Sequence, residues 1–171
     1  WNRPLHRVTV SSFLIGKYEV TQGQWAELMP TNPSLAKDPQ LPVSNVTWQE
    51  AAEFCNRLSR REGLTPFYTL TTGENAQENW FADGYRLPTA AEWEYAAGGG
   101  LLGRGTPYSG GDRPYDVAWY QRNTNRGPEP VGQKRVNEIG LYDMSGNVAE
   151  WCNDWYDHRY YYSTEAVDPR G

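Results

Sequence analysis

The stretch GLYDMSGNVAEW, residues 140–151, puts two acids, two glycines, an asparagine and two aromatics into twelve residues. An apolar core would not place Asp143, Asn147 and Glu150 so close together. A solvated loop would not carry Leu141, Tyr142, Met144 and Trp151. The mixture reads as polar chemistry wound tightly inside packed aromatics, and the rest of the chain has to supply the packing.

The composition agrees. The chain has 171 residues, enough for one domain with a real core. Eight Trp and twelve Tyr stand beside only four Phe and two Met. Amphipathic rings of this kind bury area while keeping an N–H or O–H bonded, which suits irregular backbone threaded between elements. Seventeen Gly and twelve Pro punctuate such backbone. Twenty-one acids against sixteen bases leave a net charge of −5 with no basic run, so a nucleic-acid or anionic-membrane partner has no electrostatic support. No apolar run approaches the ~20 residues that span a bilayer. The opening residues WNRPLHRVTV lack a signal-peptide pattern.

Along the chain, alternation over Val8–Val10 and Phe13–Val20 predicts two short strands around Gly16. Thr21 is a candidate N-cap for a short helix carrying Trp25, Ala26 and Met29 before Pro30. Thr47 with Glu50 three residues on is a capping box. It opens the most secure helix, with Ala51, Phe54, Cys55 and Leu58 on one face and an end near Gly63. Thr89 with Glu92 repeats the signal, and Trp93, Ala96 and Ala97 form a face that three glycines terminate. Residues 98–130 are rich in Gly, Pro and Asn but hold Tyr108, Tyr115, Trp119 and Tyr120 as expected anchors of an ordered, irregular layer.

Four stretches in order, FLIGKYEVTQGQW, PVSNVTWQEAAEFCNRLSRREGLTPFY, GYRLPTAAEWEYAAGGG and GLYDMSGNVAEWCNDWY, resemble the formylglycine-generating enzyme (sulfatase-modifying factor) superfamily. The resemblance covers nearly the whole chain. It implies an α+β, C-type lectin-like fold with two main helices, a small antiparallel sheet and much ordered loop, as one domain over residues 1–171. It also implies that a strand ahead of PLHRVTV and a catalytic segment after STEAVDPRG belong to the full domain, or that a second chain completes it. The superfamily holds copper-dependent oxidases that make formylglycine in sulfatases, other bacterial modifying enzymes, accessory domains of kinases and surface proteins, and ligand-binding scaffolds. Fold alone does not choose among them.

In the enzymes it resembles, the 140–151 loop binds a structural calcium ion. Carried over position by position, Asp143 and Glu150 give carboxylate oxygens, while Gly146 and Val148 give carbonyls. Calcium needs several such oxygens at about 2.3–2.6 Å. The competing reading has Asp143, Asn147 and Glu150 capping turns without metal. The family commonly carries Trp at the position of Ala149, which affects packing beside the loop more than its donors. The loop is expected to hold Trp151 and Trp155 against the core. A second calcium site near Asp116 and Asn123 finds no clear match.

The oxidases need a redox-active cysteine pair in their C-terminal segment. Cys55 and Cys152, the only cysteines, match neither catalytic position. The resemblance brings them near each other, where a disulfide and two free thiols both remain open. His6 and His158 lack a visible partner for acid–base work. GGGLLGRG follows a helix and has no Gly-Lys-Ser/Thr, so it reads as a helix stop. Tyr160, Tyr161 and Tyr162 are either ligand contacts or packed aromatics. The expected function is a non-catalytic, calcium-stabilised module binding a protein or glycan at an extracytoplasmic surface. The alternative is a fragment of the copper oxidase.

Overall fold

Three threonines start the helices, and each does so by the same reciprocal pair of bonds. Thr21, Thr47 and Thr89 accept from the backbone N–H three residues on, at 3.2 Å each, while Gln24, Glu50 and Glu92 bond back to the threonine N–H. They open α1 (Gln22–Ala26), α2 (Trp48–Arg61) and α3 (Ala90–Ala97). Gln24 thus completes a third capping box that the sequence reading left as a lone N-cap. The end of α2 is marked by Gly63 at φ +75°, and that of α3 by Gly99 at φ +86°. In both places the chain reverses where a side chain would be strained.

The computed structural model describes residues 7–71, 76–125, 127–155 and 167–170. Between α2 and α3 lies a two-stranded antiparallel hairpin, β1 (Tyr68–Thr69) with β2 (Gln77–Glu78), in the register Tyr68 to Glu78 and Thr69 to Gln77. A 3-10 turn (Gly100–Leu102) and a short helix α4 (Pro114–Val117) follow, and the remaining described chain is ordered loop.

The two opening strands expected from alternation do not form. Among the described residues this segment makes a single bridge, Thr9 to Val167. The alternation itself is real, since Phe13 and Ile15 pack inward while Leu14 is fully exposed. What the segment lacks is a ladder. The Lys17 carbonyl accepts from the Tyr142 N–H and the Val20 carbonyl from the Val43 N–H, one bond to each of two different loops.

One core cluster joins Ala52 and Cys55 of α2 to Phe67 and Tyr68, with Trp48, Trp80 and Leu87 packed around them. A second joins Ala96 of α3 to Leu141 and Met144 of the quoted stretch. The inward face of α2 keeps Phe54 and Cys55 of the expected set but is turned at its other positions. Ala52, Asn56 and Ser59 are fully buried, while Ala51 and Leu58 are only half-buried. Small and hydrogen-bonding side chains let the hairpin approach closely. Asn56 accepts from the Tyr68 N–H at 3.1 Å and donates to the Tyr68 carbonyl at 2.8 Å. Ser59 accepts from the Tyr85 N–H, and a Cβ at Gly84 would collide with Ser59 and the Thr65 carbonyl. Phe54 stacks on Trp25 at 5.2 Å.

The expected aromatic anchors of the irregular layer are corrected as well. Tyr108, Tyr115 and Tyr120 are exposed and Trp119 is half-buried, whereas their small neighbours Val117 and Ala118 are buried. Bonds hold the layer where rings were expected to, as when Asn123 accepts from the Tyr120 N–H and donates to the Ala118 carbonyl. Trp151 and Trp155 are likewise exposed rather than held against the core. The Trp151 indole N–H reaches the Val46 carbonyl at 3.0 Å and needs no burial to do so.

Replacing Asn56 by Ala strands a buried N–H and a buried carbonyl together, at an expected cost of about 2–4 kcal/mol. Thr47→Ala removes one cap and should cost about 1 kcal/mol. Urea denaturation of both variants checks the order. Equal losses would mean that α2 is not locked to the hairpin through Asn56.

A candidate cation loop

The 140–151 stretch is positioned from below by apolar packing and from the sides by amides. Leu141 and Met144 anchor it in the α3 cluster. Asn137 donates to the Ala96 carbonyl and accepts from the Leu141 and Ile139 N–H groups, which fixes the entry to the loop. The backbone then winds through positive φ at Asp143 (59°), Gly146 (148°) and Asn147 (62°). Gly146 lies so close to Trp119 that a Cβ would strike the Trp119 carbonyl. Both the φ value and the contact require glycine here.

Asn147 is the clamp of the loop. Its N–H donates to the Trp119 carbonyl at 3.0 Å, its Oδ1 accepts from the Glu129 N–H at 2.9 Å, and its Nδ2 donates to the Glu129 carbonyl and to Glu19. The turn-capping reading is therefore correct for Asn147. It does not account for Asp143, which is only 3% exposed. Asp143 Oδ2 accepts from the Gly132 N–H at 2.7 Å, yet its Oδ1 is buried with no hydrogen-bond partner. Among the described residues no hydrogen bond ends on the Gly146 or Val148 carbonyl either. Glu150 is solvent-exposed and accepts from the Trp93 indole N–H at 3.1 Å.

Glu19, which the sequence reading passed over, joins this group from the far end of the chain. Its two oxygens accept from the Asn147 amide at 2.7 Å and from the Val148 N–H at 3.2 Å. The clue was present in KYEVT, where an acid sits inside an alternating apolar segment. Burial, followed by the negative charges of Asp143 and Glu150, pushes the Glu19 carboxyl up to about 8. Burial also raises Asp143; Glu150 keeps solvent access, and the surrounding protein together with the Asp143 charge pushes its carboxyl in the same direction. Among the described residues the ion pairs run elsewhere, so these three acids have N–H donors but no basic partner. Among the described residues no group of three His, Cys, Asp or Glu side chains is arranged around a single point. Any ion here would draw on carbonyls as well as carboxylates, a donor set that suits a hard cation such as calcium.

A shallow cleft of about 450 Å³ opens beside the loop, lined by Trp119, Tyr120, Thr124, Pro128 and Asn147 among others. It is the feature nearest to a ligand-contact surface among the described residues. Tyr160, Tyr161 and Tyr162, the sequence candidates for ligand contact, lie outside those residues, as do His6 and His158. Ala149 is exposed.

The cysteines border one core and remain unbonded. Cys55 is buried beside Tyr68, whose hydroxyl bonds Asn153 at 2.6 Å, the residue after Cys152. The Cys152 carbonyl accepts from the Trp48 indole. Both thiols are free, and burial pushes each up to about 12. Neither is poised to be a thiolate nucleophile.

Residues 2–171 match the sulfatase-modifying factor enzyme 1-like domain family. The chain belongs to that family. It is 46% identical over 182 residues to the chaperone protein LppX of Paenibacillus barcinonensis, covering 88% of this chain and 65% of the relative. It is 32% identical over 164 residues to the formylglycine-generating enzyme of Streptomyces coelicolor, covering 89% of this chain and 44% of the enzyme. Among solved structures, Treponema denticola variable protein 1 aligns with a TM-score of 0.80 at 37% identity over 88% of this chain and 65% of the other. CarF aligns with a TM-score of 0.72 at 36% identity over 82% and 67%. The architecture is the C-type lectin-like α+β fold of the formylglycine-generating enzyme type, with α2 and α3 as its two main helices. The chain thus spans less than two thirds of the length of these curated relatives.

In metal-free buffer the Glu19 carboxyl holds its proton more tightly in the fold than in the unfolded chain, where its ordinary value is 4.5. Its contribution to stability is complete below that pH and is lost as pH rises through about 8. Chemical denaturation across this window, with chelator present, should show stability falling in the parent. Glu19→Gln should flatten part of that fall. Identical slopes in the two proteins would show that Glu19 titrates normally.

Proposed function

We propose that this chain is a non-catalytic ligand-binding module whose 140–151 loop is held by a structural calcium ion. The observation that carries the reading is the buried, unpartnered Oδ1 of Asp143, set in a loop whose Gly146 and Val148 carbonyls accept no hydrogen bond from the described residues. Leaving the buried Asp143 oxygen without a partner costs free energy that a bound cation would recover, and the more accessible Gly146 and Val148 carbonyls are free to join it. Asp143 and Glu150 would offer carboxylates and Gly146 and Val148 carbonyls. The ion would supply charge balance and rigidity. The chain's own residues orient the donors and keep water from the buried side of Asp143.

Binding rather than oxidation is supported by the thiols. A copper oxidase of this family would need soft sulfur ligands brought together. Cys55 and Cys152 are packed as neutral thiols beside aromatics. A relative at 46% identity is named a chaperone, and a chaperone works by binding another protein. The ligand is accordingly a protein or glycan met at an extracytoplasmic surface, with the cleft beside Asn147 as its contact. No described helix is long and apolar enough to cross a membrane. The oxidase reading draws on the relative named formylglycine-generating enzyme, and a direct assay separates the two.

Calcium should raise the melting temperature of chelator-stripped protein. A hundredfold excess over Kd corresponds to about 2.7 kcal/mol. Glu150→Gln should weaken that response, and magnesium, which demands a tighter octahedral shell, should substitute poorly. A melting temperature indifferent to calcium in the parent would leave the loop as a turn and no more. Incubation with a cysteine-containing sulfatase peptide, with and without copper, should yield no formylglycine by mass spectrometry. Its appearance would replace the binding reading with the oxidase.

A further inference from the structure

Glu19 is 121 or more residues from every part of the loop in sequence, yet both of its oxygens are spent on two consecutive loop residues. Its own segment is fastened to the loop by the two residues just before it. The Lys17 carbonyl accepts from the Tyr142 N–H at 3.1 Å, and the Tyr18 ring stacks on Tyr142 at 5.1 Å. Gly132, whose N–H holds Asp143, lies against the Tyr18 ring with no room for a Cβ. The carboxylate therefore arrives at the loop on a rigid support.

What it holds there is specific. A trans peptide group is planar, with its N–H and C=O pointing opposite ways. The bond from Asn147 N–H to Trp119 thus aims the Gly146 carbonyl away from Trp119. The next peptide plane, between Asn147 and Val148, is fixed by the bond from the Val148 N–H to Glu19. That plane separates the Gly146 carbonyl from the Val148 carbonyl. With it pinned, only the rotation at Val148 itself stands between the fixed backbone and the second carbonyl. The Asn147 amide, held by Glu19 at one hydrogen and by the Glu129 carbonyl, braces the same plane from its side chain.

We propose that Glu19 is a positioning residue of the cation loop, setting the spacing between the Gly146 and Val148 carbonyls by holding the peptide plane between them. The inference rests on the calcium reading above and adds a residue that binds no ion itself. It makes a distinct demand. Charge alone would leave Glu19→Asp, which keeps the carboxylate but is one methylene short of spanning both donors, close to the parent. Positioning requires that Glu19→Asp lose affinity much as Glu19→Gln does.

Isothermal titration of calcium into the chelator-stripped chain reads this directly. The parent should bind one ion, and Glu19→Asp and Glu19→Gln should each bind one ion at least tenfold more weakly. Near-UV circular dichroism should show both variants folded. A role in the fold alone would lower the melting point in chelator and leave Kd unmoved. Should either variant unfold, Asn147→Gly keeps the positive φ, removes the amide that Glu19 holds, and should also weaken Kd at least tenfold. Glu19→Asp or Asn147→Gly binding within twofold of the parent overturns the inference while leaving the calcium reading intact. A parent that binds no calcium overturns both.

Discussion

A buried peptide group with no ladder to join needs a partner in another loop, a side chain or water. In this chain asparagines do that work. Asn56 pairs with both backbone groups of Tyr68, Asn137 with Ala96 and the 139–141 turn, Asn147 with both backbone groups of Glu129, and Asn153 joins the Tyr68 hydroxyl to Glu78. A planar amide offers a donor and an acceptor side by side, so one residue can stand in for a neighbouring strand. The hairpin is only two residues long on each side, and the loops around it stay ordered because these amides replace the missing sheet.

The same arrangement creates the electrostatic problem at the centre of the molecule. Fastening residues 17–20 to the 140–151 loop brings Glu19 up to Asp143 and the exposed Glu150, and burial then penalises the charges of Glu19 and Asp143. Hydrogen bonds from Val148, Asn147 and Gly132 offset part of that cost. They leave one oxygen of Asp143 with nothing. Natural folds rarely leave such an atom unmet, and the neighbouring Trp119 indole N–H is the other buried side-chain group without a partner among the described residues.

The helix starts were readable because a capping box is local: threonine and its partner lie three residues apart, and no distant contact is needed to form the pair. The stretch 140–151 was readable for a similar reason, since its polar and apolar residues are interleaved too closely for core or solvent. The strands over 8–20 were not. Alternation reports which side chains turn inward, and it did so correctly for Phe13 and Ile15, but a strand also needs a partner of matching length, which local sequence does not reveal. The aromatic anchors failed on similar grounds. A ring marks area that can be buried, and whether it is buried depends on what lies opposite.

By itself the sequence determined the helix caps, the family and the position of the polar loop, because each is encoded in residues adjacent along the chain. Tertiary structure alone decided the rest. It turned α2 onto Ala52, Asn56 and Ser59, because the hairpin packs against small side chains at close range. It left both thiols free, Cys55 buried in the core and Cys152 half-buried at its border. It also brought Glu19 across the molecule to Asn147 and Val148. Contacts at such separations are fixed by how whole segments share a limited interior, and no spacing within either segment contains that information.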